Sequence, residues 1–337
     1  MTKTRVLTGI TTTGIPHLGN YVGAIRPAIR ASQQADSEPF FFLADLHALI
    51  KAQDPRRVAE SRLDIAATWL ALELDTDNAV FYRQSDVPEI TELMWMLSCV
   101  CAKGLMNRAH AYKAAVAENE ESAGPDPDRG VTMGLFSYPV LMAADILMFK
   151  AHRVPVGRDQ IQHLEMARDI AARFNHLYKG DYFVLPEAEV DTRVQQLNGL
   201  DGRKMSKSYN NTIPLFCTEK QLLKLIRKIK TNSLEPGEPK ETEDCALFQI
   251  YSAFATDDQV VEMQNAYADG IGWGEAKERV FERLNAVLKA PRERYGELLK
   301  DPAHIEAILK QGADRARAQA TPFMEELRRA VGIASFA

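Results

Sequence analysis

The chain has 337 residues, 46% of them apolar and 26% charged, enough for a full α/β core with a second helical domain beside it. A net charge of −5 excludes a protein that coats nucleic acid indiscriminately, because diffuse phosphate binding needs a general positive surplus; a local basic face is still allowed. Cys99, Cys101, Cys217 and Cys245 have neither disulfide-framework nor zinc-site spacing, and there is no charged-then-apolar leader or membrane-length apolar run, so a cytoplasmic protein without a membrane partner is expected.

In chain order, Arg5-Val-Leu-Thr-Gly9 reads as a short buried strand closed by glycine, followed by the loop Thr11-Thr12-Thr13-Gly14 and then Pro16-His17-Leu18-Gly19-Asn20. Pro16 suits the first position of a helix continuing through Tyr21, Val22, Ile25 and Ile29. A strand, a loop and a helix start make an anion-binding corner, since free N–H groups and the positive end of the helix dipole point the same way. His17 and Asn20 are three apart and share a helix face, and Gly19 between them lets a flat ring or a phosphate approach the backbone. Taken alone, His17 reads as a capping or packing histidine.

Phe40-Phe-Phe-Leu-Ala44, Val80-Phe-Tyr82 and Val154-Pro-Val156 are further strand candidates, each followed by a turn or helix signal. The alternation predicts an α/β fold, a doubly wound parallel sheet with helices on both faces. Ligands of such sheets bind beyond the carboxyl ends of the strands, where Asp45 and His47, Gln84 to Asp86, and Gly157 to Gln160 fall. Asp45 and His47 read equally as ordinary polar edge residues. The run Leu93 to Cys101 is more apolar than one surface helix needs, so it is core or the seam of a two-fold dimer. The acidic, proline-broken segment Glu118 to Arg129 reads as a mobile loop.

Tyr138, Met142, Asp145, Ile146 and Phe149 share a helix face, which sets one carboxylate among large apolar groups. Such an acid needs a donor: either a partner within the protein, such as a tyrosine hydroxyl, or a ligand with one polar N–H, as an indole has. Downstream, Asp159 could cap a helix with Gln162 completing a capping box. Lys204-Met205-Ser206-Lys207-Ser208 places two ammonium groups and two hydroxyls where a phosphate chain could lie, unless it is simply a solvated basic loop. Gly202 and Asn210-Asn211 beside it suggest a loop that moves on binding. From Glu219 onward the texture is charged and helical. Lys220, Lys224, Arg227, Lys228 and Lys230 form one basic run and Arg315, Arg317, Arg328 and Arg329 a second.

The Pro16–Asn20 corner taken with the distant Lys-Met-Ser-Lys-Ser string resembles the two signatures of class I aminoacyl-tRNA synthetases, the first in the form His-Leu-Gly-Asn. The segment around Tyr138-Pro and Ala-Ala-Asp145-Ile-Leu resembles that of the bacterial tryptophan-specific branch. The resemblance runs from Gly9 to the final helices. It implies a Rossmann-like nucleotide-binding catalytic domain over residues 1–212 and a helical anticodon-binding domain over 213–337, with the last helix packing back on the first domain. The implied reaction is activation of tryptophan with ATP and Mg2+, followed by transfer to tRNA(Trp), in a homodimer without zinc or an iron–sulfur cluster. Carried onto this chain, His17, Asn20, Lys204 and Lys207 would act in catalysis. Thr11, Thr12, Thr13, Gly19, Asn20, Gly157, Arg158, Asp159, Leu197, Lys204, Met205, Ser206, Lys207 and Ser208 would hold ATP. Gly9, His47, Tyr138, Met142, Asp145, Ile146 and Gln160 would hold tryptophan, with Asp145 receiving the indole N–H. Arg158 stands where relatives are usually acidic, which leaves a backbone contact there. Leu197 reads equally as a core leucine. A tyrosine-specific synthetase, an adenylyltransferase without tRNA and a catalytically silent RNA-binding regulator are the competing readings.

Overall fold

The computed structural model describes residues 3–12, 14–34, 36–122, 126–157, 160–189 and 197–336. Among them, β1 (Thr4–Thr11), β2 (Ser37–Ala44), β3 (Val80–Arg83), β4 (Arg153–Pro155) and β5 (Glu187–Glu189) form one sheet in the order β3-β2-β1-β4-β5. Every neighbouring pair is parallel, and β1 runs beside β2 from Thr4 opposite Ser37 to Thr11 opposite Ala44. The chain moves outward from β1 to β3, then crosses back to the other side of β1. Connections therefore diverge at β1 and β4 and leave a crevice beyond their carboxyl ends. The sheet is doubly wound, as the alternation of strand and helix signals requires. β5, Glu-Ala-Glu and wholly exposed, carries no apolar signal, because its pairing with β4 is made by backbone alone.

Side chains alternate across the sheet. Phe40 and Phe42 enter one core with the helices Glu89–Val100, Met133–Met148 and Ile161–Tyr178. Phe41 and Leu43 enter the other with the helix Pro55–Ala71, whose Trp69 packs against both Phe41 and Phe81. Burial on both faces explains why these strands read as continuous apolar runs. The expected loop over 118–129 is partly helical: the helix His110–Glu121 includes its start, and the Asn119 side chain donates to the carbonyls of Pro127 and Arg129. Residues 123–125 lie outside the described residues.

The second half contains the helices Glu219–Arg227, Ala246–Phe254, Asp257–Ala268, Trp273–Lys300 and Pro302–Val331. Thr218 with Gln221 and Thr256 with Gln259 form capping boxes that start two of them. The helix Pro302–Val331 lies along β3, with Gly312 so close that a Cβ there would overlap the Phe81 carbonyl. Arg315 donates to the carbonyls of Thr76 and Ala79 at 2.8 and 3.0 Å. Arg317 pairs with Glu89 at 3.1 Å, and Arg328 grips Glu92 through two bonds. Three arginines of the second basic run therefore fasten this helix to the sheet domain, a use that residue type cannot reveal. Gly312→Ala should destabilise the protein by about 1–3 kcal/mol, the usual cost of overpacking. Denaturant unfolding measures it, and an unchanged midpoint would show that the contact has slack.

Candidate active site

The segment just after the lysine loop is hydrogen-bonded to the segment after β1. Leu18 N–H donates to the Ile213 carbonyl at 3.0 Å, Leu215 N–H donates to the Pro16 carbonyl at 2.9 Å, and His17 bridges Pro214. His17, rather than Pro16, marks the helix start: it is the N-cap of Leu18–Asn20, which continues through a π-helical turn, Tyr21–Ile25. His17 Nδ1 accepts from Asn20 N–H at 3.3 Å and Asn20 Oδ1 accepts from His17 N–H at 3.1 Å. With Nδ1 an acceptor, the neutral ring carries its proton on Nε2. Burial, then the nearby Lys207 charge, lowers the His17 pKa from 6.5 to about 4, so the ring is a neutral donor near pH 7. Gly19 allows a close approach: a Cβ there would stand 3.1 Å from the His17 ring and 3.6 Å from Met205.

Met205 is buried, with its N–H on the Leu197 carbonyl at 2.9 Å, so the middle of the signature loop is anchored in the core. The Leu197 side chain is itself core. Asn211, buried, accepts from Ser206 N–H at 2.8 Å and donates to Asp201 at 2.7 Å and to the Lys204 carbonyl at 3.0 Å. Asn211 thus staples the base of the loop in this conformation. Asn211 and Arg203 hold the Asp201 carboxyl down to about 2. Ser206 Oγ accepts from Ser208 N–H and starts a one-turn helix, Lys207–Tyr209. Across the crevice, Gly14 N–H donates to Ser61 Oγ, and a Cβ on Gly14 would lie 3.4 Å from Lys207 Nζ. Partial burial and the charge of Arg57 lower the Lys207 pKa. The Thr12 hydroxyl is buried with no hydrogen-bond partner among the described residues. Thr13, Arg158 and Asp159 lie outside the described residues.

Beyond β2 and β3 a polar cluster surrounds Asp145, which is 1% exposed. Gln84 Nε2 donates to Oδ1 at 2.8 Å and Oδ2 at 3.0 Å, and His47 Nε2 lies 2.9 Å from Oδ2. Of the two sources of a donor expected for this acid, partners within the protein are present, and among the described residues they are an amide and an imidazole. The Tyr138 hydroxyl bonds His163 Nε2 at 2.7 Å. Burial raises the Asp145 pKa against the opposing pull of His47 and Gln84. Tyr138 and Met142 are half-buried on the same helix, whereas Ile146 and Phe149 are core and Phe149 stacks on Phe40. At Gly9 the space without a Cβ is filled by the Phe42 ring. Asp45 accepts from Ser85 N–H and Oγ, which ties the exit of β2 to that of β3.

Past β4, Gly157 and Gln160 are exposed, with Gln160 N–H on the Gly157 carbonyl at 2.9 Å. Gln160 is the N-cap position of the next helix and makes no side-chain cap bond. The capping box expected of Asp159 with Gln162 falls partly outside the described residues; the Gln162 amide accepts from His110 N–H and donates to the Arg108 carbonyl, both at 3.0 Å.

The sequence model of the tRNA synthetases class I (W and Y) family matches residues 1–289. The chain belongs to that family. It is 64% identical over 331 residues to a tryptophan–tRNA ligase of Xanthomonas axonopodis pv. citri, covering 98% of this chain and 76% of that relative. A tryptophan–tRNA ligase of Neisseria meningitidis is 59% identical, with 99% of each chain covered. Among solved structures, the tryptophanyl-tRNA synthetase of Campylobacter jejuni complexed with ADP and tryptophan is 44% identical with a TM-score of 0.88, covering 97% of this chain and 99% of that one.

Within this class I synthetase fold, Gln84, Ser61 and Arg57 border the candidate site and were not singled out by any motif. Gln84 stood at a strand exit with no motif around it, and Ser61 and Arg57 lie on a helix whose sequence signals only a core face. Because the His17 pKa is depressed, the unfolded chain takes the proton first as pH falls. The neutral ring's advantage is thus intact above about pH 6.5 and is lost toward about pH 4, the folded value. Imidazole NMR on labelled protein should show His17 neutral with Nε2 protonated down to that value. A transition near 6.5 would contradict the geometry.

Proposed function

We propose that this chain activates L-tryptophan with ATP to tryptophanyl-adenylate and pyrophosphate, then transfers tryptophan to the 3′ end of tRNA(Trp). The observation that supports this reading is the backbone pairing of residues 16–18 with 213–215, with Met205 close under Gly19, together with the Asp145 cluster at the carboxyl ends of β2 and β3. The tryptophan carboxylate is the nucleophile, so the protein's task is alignment on the α-phosphate and stabilisation of the leaving pyrophosphate. Neutral His17 donates through Nε2 to a phosphate oxygen, and Asn20 keeps that tautomer in place. Lys204 and Lys207, with Ser206 and Ser208, receive the pyrophosphate, and Mg2+ arrives with the nucleotide as substrate. Thr11, Thr12 and Thr13, Gly19, Gly157 with Arg158 and Asp159, the Leu197 backbone and Met205 border the nucleotide. Tyr138, Met142, His47 and Gln160 border the amino acid, whose indole N–H is accepted by Asp145. Gly9 and Ile146 support this wall through Phe42 and the core.

A donor-reading acid rejects side chains that lack the donor, so discrimination against phenylalanine needs no editing domain. Residues 213–337 form the tRNA-facing half, with the exposed Lys220, Lys224, Arg227, Lys228 and Lys230 contacting phosphates. The chain acts as a homodimer with its seam along Leu93 to Cys101, a reading supported by Trp95, 72% exposed one turn from exposed Cys99. Among the described residues no helix is long and apolar enough to cross a membrane, and translation assigns the enzyme to the cytoplasm. Tryptophan-dependent ATP–pyrophosphate exchange tests the assignment: exchange with tyrosine in its place, or with neither, would overturn it. Lys207→Ala should lower exchange roughly tenfold or more with the fold retained, in line with the loss of one transition-state charge contact. Asp145→Ala should raise the KM for tryptophan much more than that for ATP.

A further inference from the structure

Gln84 lies outside every signature, yet it is fully buried and both ends of its amide are used. Its Oε1 accepts from Leu46 N–H at 3.2 Å, and because a backbone N–H can only meet an acceptor, the NH2 group must face Asp145. There it reaches both carboxylate oxygens. His47, next to Leu46, reaches Oδ2 alone. Among the described residues Oδ2 thus has two protein partners and Oδ1 one. A carboxylate oxygen offers two lone pairs, so the remaining acceptor position is on Oδ1.

The turn that carries Gln84 is clamped on both sides. Arg83 makes two bonds to Glu306 of the helix Pro302–Val331, at 2.7 and 2.6 Å, and a third to Asp86 at 2.6 Å. Ser85 is held by Asp45. A side chain fixed this firmly sets the plane of the acid it touches, and a misplaced acceptor loses the directionality on which donor selection depends.

We propose that Gln84 is a positioning residue for tryptophan selection: it turns the Asp145 carboxylate so that Oδ1 presents its remaining lone pair to the indole N–H. The inference rests on the reading of Asp145 as the indole acceptor and adds which oxygen accepts and which residue makes it do so.

The test is exchange kinetics on the full-length chain. Gln84→Met keeps the length and removes the donors. It should raise the KM for tryptophan about tenfold or more and lower the preference for tryptophan over phenylalanine by a similar factor, with the KM for ATP and kcat at saturating tryptophan little changed. In an Asp145→Ala background the same substitution should add almost nothing, because it acts through the acid. A parallel loss in ATP KM, or additive effects, would make Gln84 a packing residue only. If Asp145→Ala impairs tryptophan use and Gln84→Met does not, this proposal alone fails; if the unaltered chain shows no tryptophan-dependent exchange, the functional reading fails. Should Gln84→Met not fold, a structure of the unaltered chain with tryptophan decides: the indole nitrogen on Oδ1 with both Gln84 bonds intact supports the proposal, and the nitrogen on Oδ2 overturns it.

Discussion

Two backbone hydrogen bonds between residues 16–18 and 213–215 are the constraint on which the site depends. They join the end of the first β-strand's loop to the end of the lysine loop, segments at opposite ends of the nucleotide-binding half. The bonds are made by carbonyl groups that every residue has and N–H groups that every residue but proline has, so side-chain identity hardly encodes them. What the side chains do is make the juncture fit: Gly19 yields its Cβ space to His17 and Met205, and Met205 is drawn under the helix start. Burial at this juncture, with Lys207 nearby, is also what keeps His17 neutral. One packing event therefore sets both the position of the signature loop and the protonation state of the first signature's histidine.

The acid cluster follows a different logic. Taking a carboxylate out of water is costly unless donors replace the lost hydration, and Asp145 has them from two strand exits. The donors are in turn held by the backbone of Leu46 and by the clamp of Arg83 on Glu306. That clamp reaches the C-terminal helix, which is also fastened by Arg315, Arg317 and Arg328. Arginines that look like a nucleic-acid face thus serve to join the two halves of the molecule. Lys220, Lys224 and Arg227, on a short helix with a buried apolar stripe of Leu222 and Ile226, and Lys228 and Lys230 just past its end, keep their charges at the surface.

The sequence made much of this legible. Phe40 to Leu43 and Val80 to Tyr82 announce strands because burial on both sheet faces demands apolar residues in succession, whereas β5, with no buried side chain, is silent. Local bonds are equally readable in type: three-residue spacing put His17 and Asn20 together, and the contact proved to be a reciprocal cap. Spacing gives no sign that the Gln162 amide reaches the distant Arg108 and His110, or that Asn211 bonds Ser206 and Asp201 at the base of the lysine loop.

By itself the sequence determined the class of sheet, the two signature segments of the family and the presence of one acid on an apolar helix face, since each depends on residue type at short spacing. Tertiary structure alone decided which groups meet: that Asp145 is satisfied by Gln84 and His47, that the charge of Arg57 reaches Lys207 and Ser61 holds the Gly14 N–H, and that residues 213–215 pair with the first signature. The physical reason is that hydrogen bonds and charge interactions act over a few ångströms of space, and which distant segments come within that range is set by the packing of the whole chain, not by the order of its residues.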